Sequence, residues 1–436
     1  MKVCKTAIIL GFLAATTLLA QQASQTLPAP VSDTLNRVIP SWMSLSGEER
    51  LRFESFHGTG FRDSGDSYLL QRLRLNLAVR PTRWLRFQFE AQDSRVFGQS
   101  TRPAPASQKN PMDLRLGYAE VGSQEGPVSF RAGRQAWVFG EGRLLADPNW
   151  SNVGRSFDGA RLTLRSGSRK LDLLGGICVK ANPNGFDRNT PGEHFYGAYG
   201  SFGKLAPNAT IEPYVLWRLE HDYRSEHGIL GHWNERTAGF RWVGKLPRGF
   251  DYGGEAAAQT GSLAGDRIRA WAGHWIVGHT LPDTAHRPRL FSEWNHASGD
   301  ANPRDGIRGG FDPLFPSTHD KLGLTDLFSW INLYHWRSGF EYTVLRRVRF
   351  VLAHNSFWLA NPHDGAYIGG KLIARSADAS AGRHIGHQGD IQATFSPTRT
   401  TQVNAGYGHL FPGQFLHRTT AHVPYHIVFC NVVQRF

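Results

Sequence analysis

From about residue 45 to the end of the chain, apolar and polar side chains alternate with a period of two, and no other feature constrains the fold as tightly. Leu51 and Phe53 alternate with Arg50, Arg52 and Glu54. Leu73, Leu75, Leu77 and Val79 alternate with Arg72, Arg74, Asn76 and Arg80. After a Pro81-Thr82 turn, Leu85, Phe87, Phe89 and Ala91 alternate with Arg86, Gln88, Glu90 and Gln92. Successive side chains of a strand point to opposite faces, so this pattern describes hairpins with one apolar and one charged face. A soluble sandwich alternates too. Here, however, the polar face repeats Arg opposed by Glu, Gln and Asn, and the chain offers no helices and no second apolar layer. A transmembrane antiparallel β-barrel accounts for both faces, one toward lipid and one toward an aqueous lumen. It also accounts for a hydrophobic content of only 40%, because only every second residue need meet lipid.

The pattern predicts an all-β chain with strands near residues 45–57, 68–80, 84–93, 112–121, 128–136, 157–166, 169–180, 194–203, 209–220, 233–245, 249–261, 265–280, 287–299, 327–343, 347–361, 384–396, 400–411 and 424–436. That is about 18 strands, with about 16 left open, enough to leave a lumen in place of a packed interior. Trp84, Tyr118, Trp217, Trp242, Trp271, Trp275, Trp294, Trp336 and Trp358 fall near strand ends, as interfacial girdles require. Tight turns at Pro81-Thr82, Ser166-Gly167-Ser168, Pro247-Arg248 and Arg346-Arg347 alternate with long connections near 94–111, 137–156, 300–326 and 362–383. Short turns belong on the periplasmic side and long loops outside.

The chain starts with a basic Met1-Lys2-Val3-Cys4-Lys5 segment, an uncharged run from Thr6 to Ala20 and then Gln21. This reads as a signal peptide at 1–20, followed by a periplasmic linker at 21–44 and the barrel at 45–436. No other run is long and apolar enough for a spanning helix. Removing Lys2 and Lys5 lowers the net charge from +13 to +11, mostly as Arg spread along the chain. Nucleic acid is a poor partner for an exported protein, so the basic balance points to small or polymeric anions. Cys178 and Cys430 are too few for a disulfide framework, and no cofactor or metal is implied; Asp300, Asn302 and Asp305 lack the ligand set of a calcium loop. The final Val428 to Phe436 segment is similar to the terminal signal read by the barrel-assembly machinery, with Gln434 where an aromatic is common. The expected location is the outer membrane of a Gram-negative bacterium, in contact with the lipid bilayer and its lipopolysaccharide.

Two blocks sharpen the reading. Residues 131–161 run RAGRQAWVFGEGRLLADPNWSNVGRSFDGAR, and residues 293–326 contain EWNHASGD and GGFDPLFPSTHDKLGLTD. Together with the strand pattern they resemble the alginate export family of outer-membrane barrels. The resemblance implies an eighteen-stranded, Arg-rich channel that passes an anionic polysaccharide such as alginate, served by periplasmic export components. A general or anion-selective porin for small-molecule uptake is the alternative. With a first strand near residue 45 there is no room for an N-terminal plug, so passive passage is expected.

The resemblance points to Arg131, Arg134, Gln135, Arg143, Asp158 and Arg161 in the first block and Glu293 in the second as selectivity residues. Strand parity adds Arg50, Arg52, Arg72, Arg74 and Arg86 to the lumen face. A guanidinium stays charged, pairs bidentately with carboxylates and sheds water readily, which suits a relay of weak anion sites. Arg134 is anomalous: with Phe130 and Ala132 outward, parity turns it toward lipid unless Gly133 starts a bulge or the strand has left the membrane. The loop holding Phe311, Asp312, Phe315 and His319 is aromatic and stiffened by proline, which suits a gate folded into the lumen. His354, Asn355 and Ser356 suggest an outer-membrane phospholipase, but adjacent strand residues take opposite faces, so no catalytic role is assigned.

Overall fold

The computed structural model describes residues 31–100, 103–206, 208–225, 227–281, 286–344 and 347–436; the expected signal peptide and Arg346 lie outside them. The strands are β1 (Met43–His57), β2 (Gly65–Thr82), β3 (Leu85–Phe97), β4 (Asn110–Gly122), β5 (Val128–Gln135), β6 (Phe157–Ser166), β7 (Arg169–Lys180), β8 (His194–Ala206) and β9 (Ala209–Arg224). They continue with β10 (Leu230–Lys245), β11 (Phe250–Leu263), β12 (Asp266–Thr280), β13 (Arg289–Ala297), β14 (Leu333–Val344), β15 (Val348–Leu359), β16 (His384–Phe395), β17 (Thr401–Pro412) and β18 (Tyr425–Arg435). Each pairs antiparallel with its sequence neighbour. β1 also pairs with β18 from Glu48 opposite Arg435 to His57 opposite His426, which closes the ring and removes both edges. The 18 strands form an all-β closed barrel.

Alternation sets the two faces. On β1, Arg50, Arg52 and Glu54 are buried inside while Leu51 and Phe53 lie on the outer surface, 44% and 45% exposed. Leu75, Phe89, Val215, Phe240, Leu352 and Val432 continue this outer apolar band. Trp84, Trp271, Trp275, Trp294 and Trp336 lie on it, as a girdle requires. Tyr118 does not. It shares the inward parity of Glu120, and its ring lies under the Arg131 guanidinium, 4.2 Å away.

Helix α1 (Val31–Val38) occupies part of the expected linker and is tied to β1 by reciprocal hydrogen bonds: Asn36 Nδ2 donates to Leu45 O, and Leu45 N–H donates to Asn36 Oδ1. No helix is long and apolar enough to cross a membrane. β14 begins at Leu333, six residues after the expected 327. Asn332, at φ 47°, donates to Asn361 O and Gly365 O, which holds the preceding residues in a loop with Phe328 and Trp330 buried.

The long connections gather at one end of the barrel, which also holds the two-residue Ala264-Gly265 turn between β11 and β12, and the Pro81-Thr82, Ser166–Ser168 and Pro247-Arg248 turns lie at the other. Two long segments, the β5–β6 loop (136–156) and the β13–β14 loop (298–332), turn inward and meet. Phe315 N–H donates to Leu144 O, and Ala146 N–H donates to Phe315 O, both at 2.9 Å. Around this junction Trp137, Phe157, Phe195, Phe311 and Leu145 form an apolar core inside the ring. Full burial of one such side chain contributes about 1.5–3 kcal/mol, so the loops are packed into place and not merely tethered.

Candidate functional site

The constriction grows from the two inward loops and the walls they reach. Arginines of β1 and β2 stack directly, since Arg50 lies opposite Arg72 and Arg74 opposite Glu48. The β5–β6 loop lays its carbonyls on this stack. Arg50 donates to Ser151 O and Asn152 Oδ1 at 3.0 Å, and Arg72 donates to Asn149 Oδ1 at 2.9 Å and to Glu48. Arg74 donates to Gln92 Oε1 at 2.6 Å, and Gln92 in turn donates to Val153 O. The same loop reaches the far wall through Arg143, which donates to Glu293 of β13 at 2.7 Å and to Asn295 at 3.1 Å.

The β13–β14 loop is fixed by matching contacts. Asp312 accepts from Arg218 of β9 at 2.6 Å, while Gln259 of β11 donates to Asp312 O and accepts from its N–H. His319 bonds Asp326 at 2.6 Å and stacks on Trp150, centroid to centroid 3.6 Å, with the Arg52 guanidinium 3.8 Å from the same indole. Between the loops lies a cavity of about 590 Å³ lined by Arg52, Tyr68, Trp150, Arg155, His319 and Asp326, among others.

Both walls of this site carry buried charge. The wall of β1 to β3 carries the arginine stack interleaved with Glu48, Glu54 and Glu90, and the facing wall carries the buried carboxylates Glu235, Glu255 and Glu293 with Arg218 and Arg241. Among the described residues no carboxylate lies within ion-pair distance of Arg50, Arg86 or Arg155. Arg86 donates to Gln88, and Arg155 donates to the carbonyls of Ala146 and Pro316. In the β5–β6 loop, burial alone would raise the Asp147 carboxyl, but Arg115, Arg74 and the Arg155 amide hold it below its ordinary 3.8. Asp326 is buried enough to be pushed up despite His319. No group of three or more metal-ligating side chains converges among the described residues.

The alginate export family description matches residues 41–429, which is most of the sequence. The chain belongs to the alginate export family. None of the proteins with curated function matches it closely. In fold, this family member is similar to solved Pseudomonas aeruginosa barrels. OpdQ gives a TM-score of 0.64 at 11% identity, covering 90% of this chain and 98% of that one. OccK8 (OprE) gives 0.62 at 12%, and OpdK with vanillate gives 0.60 at 9%, each with the same coverage. The protein is an outer-membrane β-barrel with the architecture of porin-like channels.

In this alginate export family barrel the expected residues divide into four groups. Arg50, Arg52, Arg72 and Arg74 gather under the β5–β6 loop, while Arg143 and Glu293 meet on the far wall. Arg86, Arg131 and Arg161 lie lower on the inner wall, where Arg131 pairs with Glu120 and Arg161 with Asp172. Arg134 and Asp158 share the outward parity and pair with each other at 2.8 and 3.1 Å. Arg134 is the penultimate residue of β5, and β4 and β5 stay in register through Gly133, so the strand end explains its position and a bulge does not. Phe311, Asp312, Phe315 and His319 all lie on the inward-folded loop. Asn355 faces the lumen toward Asp390, whereas His354 Nε2 lies 3.0 Å from Ser356 Oγ on the outer face. Cys178 and Cys430 are both free. Sequence reasoning missed Asn149, Trp150 and Asn152; their only signal was membership of the family block, since loop residues carry no parity.

Proposed function

We propose that the barrel passes anionic solutes, above all an acidic polysaccharide leaving the periplasm. One observation carries this reading: a file of arginines runs up the inner wall from the short-turn end, from Arg80 and Arg86 through Arg74 and Arg72 to Arg50 and Arg52. The rim below it is basic as well. At this end every connection except that between β4 and β5 has Arg or Lys in or beside it: Arg83, Arg165 with Arg169, Lys204, Lys245 with Arg248, Arg287, Arg347 and Arg399. A polyanion arriving from the periplasm meets positive potential at the mouth, where Arg80 and Arg86 are accessible, while Arg50, Arg52, Arg72 and Arg74, covered by the β5–β6 loop, contribute field and not contact.

A second reading is favoured by the inward loops. A lumen divided by two packed loops suits small organic anions better than a polymer, and the OpdK structure was solved with one, vanillate.

Bilayer recordings separate these readings. In a potassium chloride gradient the reversal potential should favour chloride, most at low salt, where the Debye length is roughly 10 Å at 0.1 M. A uronate oligomer should block the current at concentrations where monomeric uronate does not. Potassium preference would end the anion reading; block by monomer and oligomer alike would favour the small-solute channel.

A further inference from the structure

The outer wall carries arginines that the lumen does not use. On β10, β11 and β12 the inward positions are Glu235, Thr237, Gln259, Ile268 and Ala270, all buried. Arg236, Thr260, Arg267 and Arg269 therefore face outward, and all are exposed. Arg236 lies opposite Thr260, which lies opposite Arg269, so the three form one rung; the next rung toward the long loops is Asn234, Ser262 and Arg267. The rung below is Ala238, Ala258 and Trp271, and beyond it the wall is apolar through Phe240, Trp275 and Val277. Trp217 lies opposite Arg236 and Trp271 one rung, about 7 Å, below, so the arginines begin at the level of the aromatic girdle, at the depth of the outer-leaflet headgroups.

Among the described residues no carboxylate lies within ion-pair distance of Arg236, Arg267 or Arg269; Arg236 rests 5.4 Å from the Trp217 ring. Elsewhere on the outer wall the chain does supply carboxylates: Arg95 is bidentate to Asp93, and Arg134 to Asp158. An uncompensated arginine cluster above an apolar wall, with hydroxyls between its members, matches a phosphate attached to acyl chains. The guanidiniums and the Thr260 and Ser262 hydroxyls are donors that a phosphate would accept from, and Trp271 and Phe240 offer apolar surface to its acyl chains. A second copy of the same face would bring like charges together.

We infer that this face of β10 to β12 seats the phosphate of an outer-leaflet glycolipid. The test is native mass spectrometry of the full-length barrel in detergent with added bisphosphorylated lipid A. Wild type should retain the lipid, and Arg236→Gln/Arg267→Gln/Arg269→Gln should weaken retention at least tenfold while keeping heat-modifiable gel migration. If the triple variant does not form the barrel, Arg269→Gln alone should show a smaller loss in the same direction. Arg95→Gln should change nothing. Equal retention by the variants, equal retention of dephosphorylated lipid A, or displacement by millimolar inorganic phosphate would each overturn the inference. Chloride selectivity is read separately, so its failure and the failure of this site are distinguishable.

Discussion

Arg143 leaves a loop on one side of the barrel and ends against Glu293 on the other, 5% exposed and held also by Asn295. Breaking a buried pair by removing one partner costs about 3–5 kcal/mol, because the survivor keeps an uncompensated charge. The backbone ladder does not depend on this pair, so the cost should fall on the loop. Arg143→Met should raise single-channel conductance and its noise while leaving the unfolding transition of the barrel in place; an unchanged conductance would show that the apolar loop core suffices. Gly133 has a different kind of constraint. Its φ is 120°, and a Cβ there would lie 2.4 Å from Gly117 O. Gly133→Val should therefore destabilise the barrel by about 1–3 kcal/mol in urea titrations from lipid vesicles.

At the scale of elements, the β5–β6 loop lies folded into the lumen, and its electrostatics predict a pH dependence. Asp147 receives Arg115 at 2.7 Å and the Arg155 amide at 2.8 Å. Its folded value is depressed, so its contribution is present above the ordinary 3.8 and is lost as pH falls through the folded value. Conductance should stay level from about pH 7 to 5 and rise below about pH 4, and Asp147→Asn should show the low-pH conductance already at neutrality. Elements were legible to different degrees. Every expected strand exists because period two is a local property of the chain. The start of β14 was misplaced because Leu327 to Asn332 is apolar like a strand, yet Asn332 is captured by carbonyls at 361 and 365. Nothing local distinguishes that capture.

For the whole molecule, the basic rim and the arginine file predict asymmetry. A uronate oligomer added on the short-turn side should block at lower concentration than from the loop side. Arg83→Glu with Arg248→Glu should weaken that block mainly by slowing its onset, since charges at a mouth act on encounter more than on residence. Equal block from both sides would assign capture to the loop side.

Local periodicity was enough to set the barrel, its strand count within narrow bounds, and the lumen face of most strands, though Tyr118 was read as a girdle residue and faces inward. Parity needs only neighbours, and a closed ring follows once a strand face must meet lipid along its whole length. It also marked Arg50, Arg52, Arg72 and Arg74 as inward. What those arginines touch depends on long-range packing. Their partners, Asn149, Ser151 and Asn152, stand about a hundred residues from Arg50 and Arg52 in the chain, on a loop whose path depends on packing Trp137 and Phe315 inside the ring. The same holds for the outer face: Arg236, Thr260 and Arg269 become one rung through strand register, a long-range property that hydrogen-bond pairing fixes and periodicity leaves free.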